Sequence, residues 1–116
     1  MTAARRALTR GACLRLLSPG GHGRVAATAR AVPVIILVSF ALSGEDIVFR
    51  PTVGDGSSPV LADSVVAFET DELDPDRHAV WDVHVTGVAR LIGDDALPFA
   101  FRLPSEVMSG WQVDHS

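Results

Sequence analysis

The residues most able to do chemistry cluster after position 50. A guanidinium at Arg50 is followed by hydroxyls at Thr52, Ser57 and Ser58 and by glycines at Gly54 and Gly56. Holding a phosphate group takes cations and hydrogen-bond donors fixed on a turn. Glycines let backbone N–H groups come close to such an anion. The same residues also read as a Gly/Ser-rich connection with Arg50 solvated at a strand end, and taken alone they favour that plainer reading. The stretch has no lysine, and Asp55 brings a negative charge into it.

Other reactive groups form weaker sets. His22, His78, His84 and His115 are scattered, and Cys13 is the one cysteine. That spacing matches no closed metal site, so no metal is expected. Asp71, Glu72, Asp74 and Asp76 crowd around Pro75. They lack the ligand spacing of a calcium loop and read as a solvated turn. Ser43 and the other serines lack the context of a nucleophile elbow. Cys13 stands among Ala12, Leu14, Leu16 and Leu17 and reads as a small buried hydrophobe rather than half of a disulfide.

The elements that would position these groups are mostly strands. Residues 3–17 read as a helix interrupted by Gly11, with Thr9 able to cap a second start. Residues 18–21, Ser-Pro-Gly-Gly, break the chain. Strands are expected at 23–29, 32–42 and 46–50, with a hairpin turn at 43–46. Residues 51–59 form a loop. Further strands are expected at 64–70, 78–92 and 99–103, separated by the acidic turn at 71–76 and by Gly93-Asp94-Asp95. Residues 104–106 begin a last turn that leads to Gly110 and Trp111. In the long segment Val83, Val85, Gly87 and Ala89 alternate with Asp82, His84, Thr86, Val88 and Arg90. Six strands at short spacing make a mainly antiparallel barrel or sandwich.

Bulk properties set the frame. A chain of 116 residues suits one domain and gains from dimerisation, because a short chain buries a modest share of its surface. The net charge is −4, and all fourteen acids lie at or after Glu45. Arg5, Arg6, Arg10, Arg15, Arg24 and Arg30 precede it. We read that basic start as a helix with solvated arginines in preference to a transit peptide or polyanion-binding arm. An acidic chain argues against general nucleic-acid binding. The longest apolar run, residues 31–40, is far shorter than the roughly 20 residues of a membrane helix, so no membrane partner is expected.

Taken in order, several stretches resemble the pyridoxamine 5'-phosphate oxidase-like, FMN-binding split-barrel family, in its short bacterial flavin-nucleotide-binding type. They are Gly23-Arg24-Val25-Ala26, Val38-Ser39-Phe40-Ala41-Leu42, Asp46-Ile47-Val48-Phe49-Arg50, Val65-Val66-Ala67-Phe68-Glu69 with its acidic turn, Trp81 through Ala89, and Val107 through Trp111. The resemblance covers roughly residues 12–113. Where the family's phosphate loop tends to read Arg-Thr-x-x-Gly-x-Lys, this chain reads Arg50-Pro51-Thr52-Val53-Gly54-Asp55-Gly56. The family's helix between the fifth and sixth strands is reduced to residues 94–98.

The resemblance implies a six-stranded antiparallel split β-barrel with one N-terminal helix. Residues 1–19 would form the helix and basic arm, and residues 20–116 the FMN-binding domain. It implies a cytoplasmic homodimer with flavin at the interface, acting as an oxidoreductase on a small redox-active molecule. Arg50, Thr52, Gly54, Gly56 and Ser57 would hold the flavin phosphate. Val38, Ser39 and Phe40 would run along the ring, with Phe40 also able to serve as a core residue, and Trp81 would reach the site across the interface. The alternative is a non-catalytic module for flavin, deazaflavin or haem, or a family member that has lost its cofactor. In either case the cofactor carries the redox chemistry, so no protein nucleophile or acid–base pair is required.

Overall fold

The computed structural model describes residues 3–52, 61–76, 79–93 and 100–115. The chain forms β1 (Ala3–Ala7), α1 (Arg10–Leu17), β2 (Gly21–Ala29), β3 (Val32–Ser43) and β4 (Asp46–Pro51). It continues with β5 (Val65–Asp74), β6 (Ala79–Val88), β7 (Arg90–Leu91), β8 (Phe101–Leu103) and β9 (Val107–His115). All strands join one antiparallel sheet in the order β1-β9-β6-β5-β2-β3-β4-β8-β7. The sheet curls until β8 nears β6: a Cβ on Gly87 would lie 3.2 Å from Leu103 Cδ1. This is a mainly β, antiparallel split barrel, with α1 the one helix whose full span lies among the described residues.

Alternation sorts the side chains into two faces. The inner face carries Val25 and Ala27, Ile36, Val38 and Phe40, Ile47 and Phe49, Val66 and Phe68, Val83 and Val85, and Phe101 and Leu103, all buried in one core. Helix α1 adds Cys13 and Leu17 to the same core. Each such aliphatic side chain contributes about 1.5–3 kcal/mol on full burial. Phe40 meets Phe68 edge-on at 5.0 Å, and Phe49 stacks on Phe101 at 5.4 Å.

Among the described residues the strand count is nine, not six. Residues 3–7, expected as the start of a helix, form β1 by pairing with the far end of the chain, Ala3 opposite His115 through Ala7 opposite Trp111. The helix is confined to Arg10–Leu17 and begins where Thr9 Oγ1 accepts the Ala12 N–H at 3.1 Å, the cap foreseen from the sequence. Residues 107–115, expected as a tail after a turn, form β9 between β1 and β6. The expected strand over 78–92 divides at Ala89, whose N–H and C=O are taken by Ser64 and Asp63. The acidic turn begins later than expected, since β5 continues to Asp74.

Two turns shape the region around the site. After α1 the chain reverses through Gly20, at φ +69°, where a Cβ would stand 2.8 Å from the Phe40 carbonyl oxygen, so only glycine fits. The β2–β3 hairpin turns on Arg30 (φ 53°) and Ala31 (φ 64°). Both are left-handed, as a two-residue primed turn demands, yet neither is glycine or asparagine. Such residues cost about 1–2 kcal/mol each in that conformation.

Candidate functional site

Strands β3 and β4 build the site by their register. Ser39 lies opposite Arg50, Phe40 opposite Phe49, and Ala41 opposite Val48. Phe40 and Phe49 point into the core, so Ser39, Ala41, Val48 and Arg50 share the outer face. Segments 39–41 and 48–50, together with Ala100, line an open depression of about 220 Å³. Its floor is apolar, and its polar side chains are a hydroxyl and a guanidinium. A site that encloses a drug-sized ligand usually measures about 300–1,000 Å³. Alone, this depression can cradle part of a larger ligand but not surround it.

Arg50 differs from most of the chain's described arginines. Arg6 pairs with Asp114, Arg10 with Glu45, Arg24 with Glu69 and Asp71, Arg90 with Asp63, and Arg102 with Asp46. Arg5 lies 3.8 Å from the ring centroid of Trp111. Among the described residues Arg50 has no hydrogen bond or ion pair, and it is exposed beside the depression. Its positive charge is therefore available to an anion.

The other expected site residues are distributed as follows. Val38 is fully buried on the inner face opposite Pro51. The Phe40 ring belongs to the core, so what it presents to the depression is main chain. Thr52 follows β4, where its N–H and its hydroxyl both donate to the Leu37 carbonyl, at 3.0 and 3.2 Å. Gly54, Gly56 and Ser57 lie outside the described residues. Trp81 is half-buried on the inner face, opposite Glu72 and Gln112 and packed against the core. The structure thus brings together Ser39, Arg50 and the main chain of Phe40, and it separates them from the side chains of Val38 and Trp81.

Two outer-face features escaped the sequence reading. The tryptophan on the face of Ser39 and Arg50 is Trp111, opposite Asp82 and Ala7 on neighbouring strands. It fell in a segment read as the tail after a turn, and only knowledge of β9 would have given it a face. Between Trp111 and Ser39 runs a polar belt. Arg24 donates to both Glu69 carboxylate oxygens at 2.9 and 3.2 Å and to Asp71 at 2.7 Å. Hydrogen bonding to Glu69, then to Asp71, raises the Arg24 pKa above its ordinary value. Asp71 stands opposite Asp82, and Asp82 lies 3.4 Å from His84 Nε2. Like charges directly opposite on a sheet repel, and Arg24 offsets only part of that.

Comparison with known proteins agrees with this architecture. Residues 9–112 match the family described as pyridoxamine 5'-phosphate oxidase. An uncharacterized protein of Mycobacterium tuberculosis is 36% identical over 92 residues, 75% of this chain and 60% of that protein, so the match spans less than two thirds of the relative's length. The solved FAD binding protein from Mycobacterium smegmatis is similar at TM-score 0.79 and 27% identity, over 94% of this chain and 98% of its own. A FAD-binding protein from Mesorhizobium loti shares the fold at TM-score 0.78 and 18% identity, over 98% of this chain and 100% of its own. With nearly the whole chain covered by the family match, this protein belongs to the pyridoxamine 5'-phosphate oxidase family.

Proposed function

We propose that the chain binds a flavin nucleotide, FMN in the first instance, at the outer-face depression of β3 and β4, and that it acts as an oxidoreductase on a small redox-active molecule. The observation that carries this reading is Arg50, a guanidinium without a partner among the described residues, beside an apolar floor and opposite the Ser39 hydroxyl. This donor set suits a phosphate joined to a flat apolar ring. Arg50 binds the phosphate, and Ser39 and the main chain of 39–41 and 48–50 meet polar edges. Ala41, Val48 and Ala100 keep water from one side. Gly54, Gly56 and Ser57 belong to the same proposal as the continuation of the phosphate loop. A bound flavin supplies the electron transfer itself, which leaves the protein to bind, orient and exclude water. The FAD-binding names of two structural neighbours support a flavin ligand.

Homodimer formation is part of the reading. The depression is too small and open to enclose a flavin alone, and it shares its face with several exposed apolar side chains. A second copy laid on that face would supply the missing wall. No helix among the described residues is long and apolar enough to cross a membrane. A buried free thiol at Cys13 suits a reducing compartment, and we propose the cytoplasm.

The test is the visible spectrum of the purified protein, followed by titration with FMN and with FAD. Arg50→Ala removes one charge-assisted contact, worth about 1.5–3 kcal/mol, so the dissociation constant rises about ten- to hundredfold. The fold is expected to be untouched, because Arg50 is exposed and bonded to nothing described. Colourless protein that binds neither flavin up to about millimolar, a regime worth roughly 4 kcal/mol, would end this reading. Flavin that binds but is neither reduced nor reoxidised in turnover would make the chain a binding module.

A further inference from the structure

The β2–β3 hairpin extends past its neighbours. Among the described residues β5 pairs with β2 only at 24–26, and β4 pairs with β3 only from Val38 onward. Residues 27–36 therefore find strand partners only within the hairpin and at its junction with the sheet. The outer face of this arm is apolar and open: Ile35 is 74% exposed and Leu37 51%, with Thr28 and Pro33 beyond them. One register row continues it across the sheet, Ile35–Ala26–Ala67–Thr86–Val107, with Val107 65% exposed and Val65 68% exposed alongside. A contiguous apolar face of this kind marks an association surface.

The ends of this face differ in charge. At the tip stands Arg30, exposed and without a hydrogen bond or ion pair among the described residues, on a turn held left-handed at two non-glycine positions. On the other side of the Ile35–Ala26 row lies the belt, in which Arg24 faces Glu69 and Asp71, and Asp71 stands opposite Asp82. His84 approaches Asp82, and His22 borders the belt from β2. One guanidinium, Arg24, is set against two carboxylates, Glu69 and Asp71, so a second cation has a carboxylate to meet there.

Building on the homodimer reading above, we propose that a second copy of this chain covers the face, with the hairpins head to tail, so that Arg30 of each copy meets the Glu69–Asp71 carboxylates of the other. The spacing allows it. Arg30 lies four residues from Ala26 along β2, roughly 13 Å at the strand rise. His22 lies four residues from Ala26 in the opposite direction. A two-fold axis lying along the Ile35–Ala26 row, between the two faces, therefore lays one copy's tip over the other's Ser39–His22 row. Asp71 borders that row on the β5 side, where Thr70 Oγ1 donates to the His22 carbonyl at 2.9 Å. Arg50 borders it on the β4 side, so the same tip overhangs the depression. The contact is isologous, and every substitution acts twice.

Sedimentation equilibrium on the full chain, with and without FMN, tests the proposal. Arg30→Asn removes the charge while keeping a residue that tolerates the left-handed turn. It should raise the dimer dissociation constant about three- to thirtyfold, because symmetry deletes two exposed ion pairs at once. Arg30→Glu should raise it further, and adding Asp71→Arg to Arg30→Glu should restore association. These differences should shrink at about 0.5 M salt. Far-UV circular dichroism unchanged from the parent shows that the variants are folded. A dimer indifferent to both Arg30 variants, or a charge swap that restores nothing, overturns this contact and leaves the homodimer standing. A parent chain that stays monomeric at high micromolar concentration overturns both, while FMN binding by that monomer would keep the flavin reading.

Discussion

Replacing Gly23 with alanine should destabilise the barrel far more than the addition of one methyl group suggests. Gly23 is buried on the inner face of β2, and a Cβ there would lie 2.7 Å from Phe68 Cε2, 3.0 Å from Phe68 Cζ and 2.8 Å from the Glu69 carbonyl oxygen. Carbon atoms pack comfortably at about 3.5–4.0 Å, so something must move by close to an ångström. Neither neighbour can move easily. The Phe68 ring is fully buried and meets Phe40 at 5.0 Å, and Glu69 is fixed in β5 between Arg24 and His84. Overpacking in a filled core costs about 1–3 kcal/mol, and two immobile neighbours place Gly23→Ala near 2–3. For a chain of this size that is a fall of roughly 8–12 °C in Tm. Urea unfolding followed by tryptophan fluorescence and circular dichroism gives the free energy directly. A double-mutant cycle separates the causes. In a Phe68→Leu background the ring clash is gone and the alanine should cost at least about 1 kcal/mol less, yet still something, because the Glu69 carbonyl remains. A Gly23→Ala protein within about 0.5 kcal/mol of the parent, or strict additivity with Phe68→Leu, would refute this packing argument.

Further outcomes can be checked on the same protein. Ser105 is buried, its hydroxyl donates to the Glu45 carbonyl, and it accepts from Arg10 at 2.9 Å while its own carbonyl accepts from Arg10 at 2.6 Å. Ser105→Ala leaves these groups short of partners and should cost about 1–3 kcal/mol in urea unfolding. Burial raises the Cys13 thiol pKa above its ordinary value, against smaller opposing effects from a backbone hydrogen bond and Arg10. The folded thiol should thus resist dithionitrobenzoate at pH 8 and react on unfolding. Below the unfolded pKa of about 8.5 both states keep the proton and the thiol's contribution is complete. As pH rises from there to the folded value the unfolded chain alone ionises, so stability falls, and Cys13→Ala should abolish that share of the alkaline loss.

Local pattern made much of the fold legible. The β-branched run of β3, the hairpin at Gly44 and the alternation of Val83, Val85 and Gly87 are short-range signals, and the structure follows them. Thr9 was legible for the same reason, since capping involves only the next turn. β1 and β9 were not. Arg5 and Arg6 have no intrinsic strand preference, and their backbones are held by residues more than a hundred positions away. Asp71 and Asp74 spoke for a turn, but strand pairing with β6 prevailed because their side chains stay at the solvent-facing end. At the site, Ser39 and Arg50 meet through a register that a short hairpin turn fixes, so their neighbourhood was foreseeable. Trp81 shares odd-numbered spacing with Val83 and Val85, and that alternation already pointed it inward. Trp111 could be assigned only through long-range pairing.

The placement of β1 also bears on how the protein stays dispersed. Among the described residues β1 ends the sheet, so its outer backbone groups offer a template on which a foreign strand could grow. Consecutive arginines on so short a strand are a guard against that growth, one turned to each face: Arg5 lies over Trp111 and Arg6 reaches Asp114. Stripping this strand would not merely shorten the sheet. It would uncover β9, a longer edge bearing Val107, Met108, Trp111 and Val113 and no basic side chain from Val107 through Asp114. The first few residues therefore act as a selvage, a woven border that keeps the fabric from fraying into fibres.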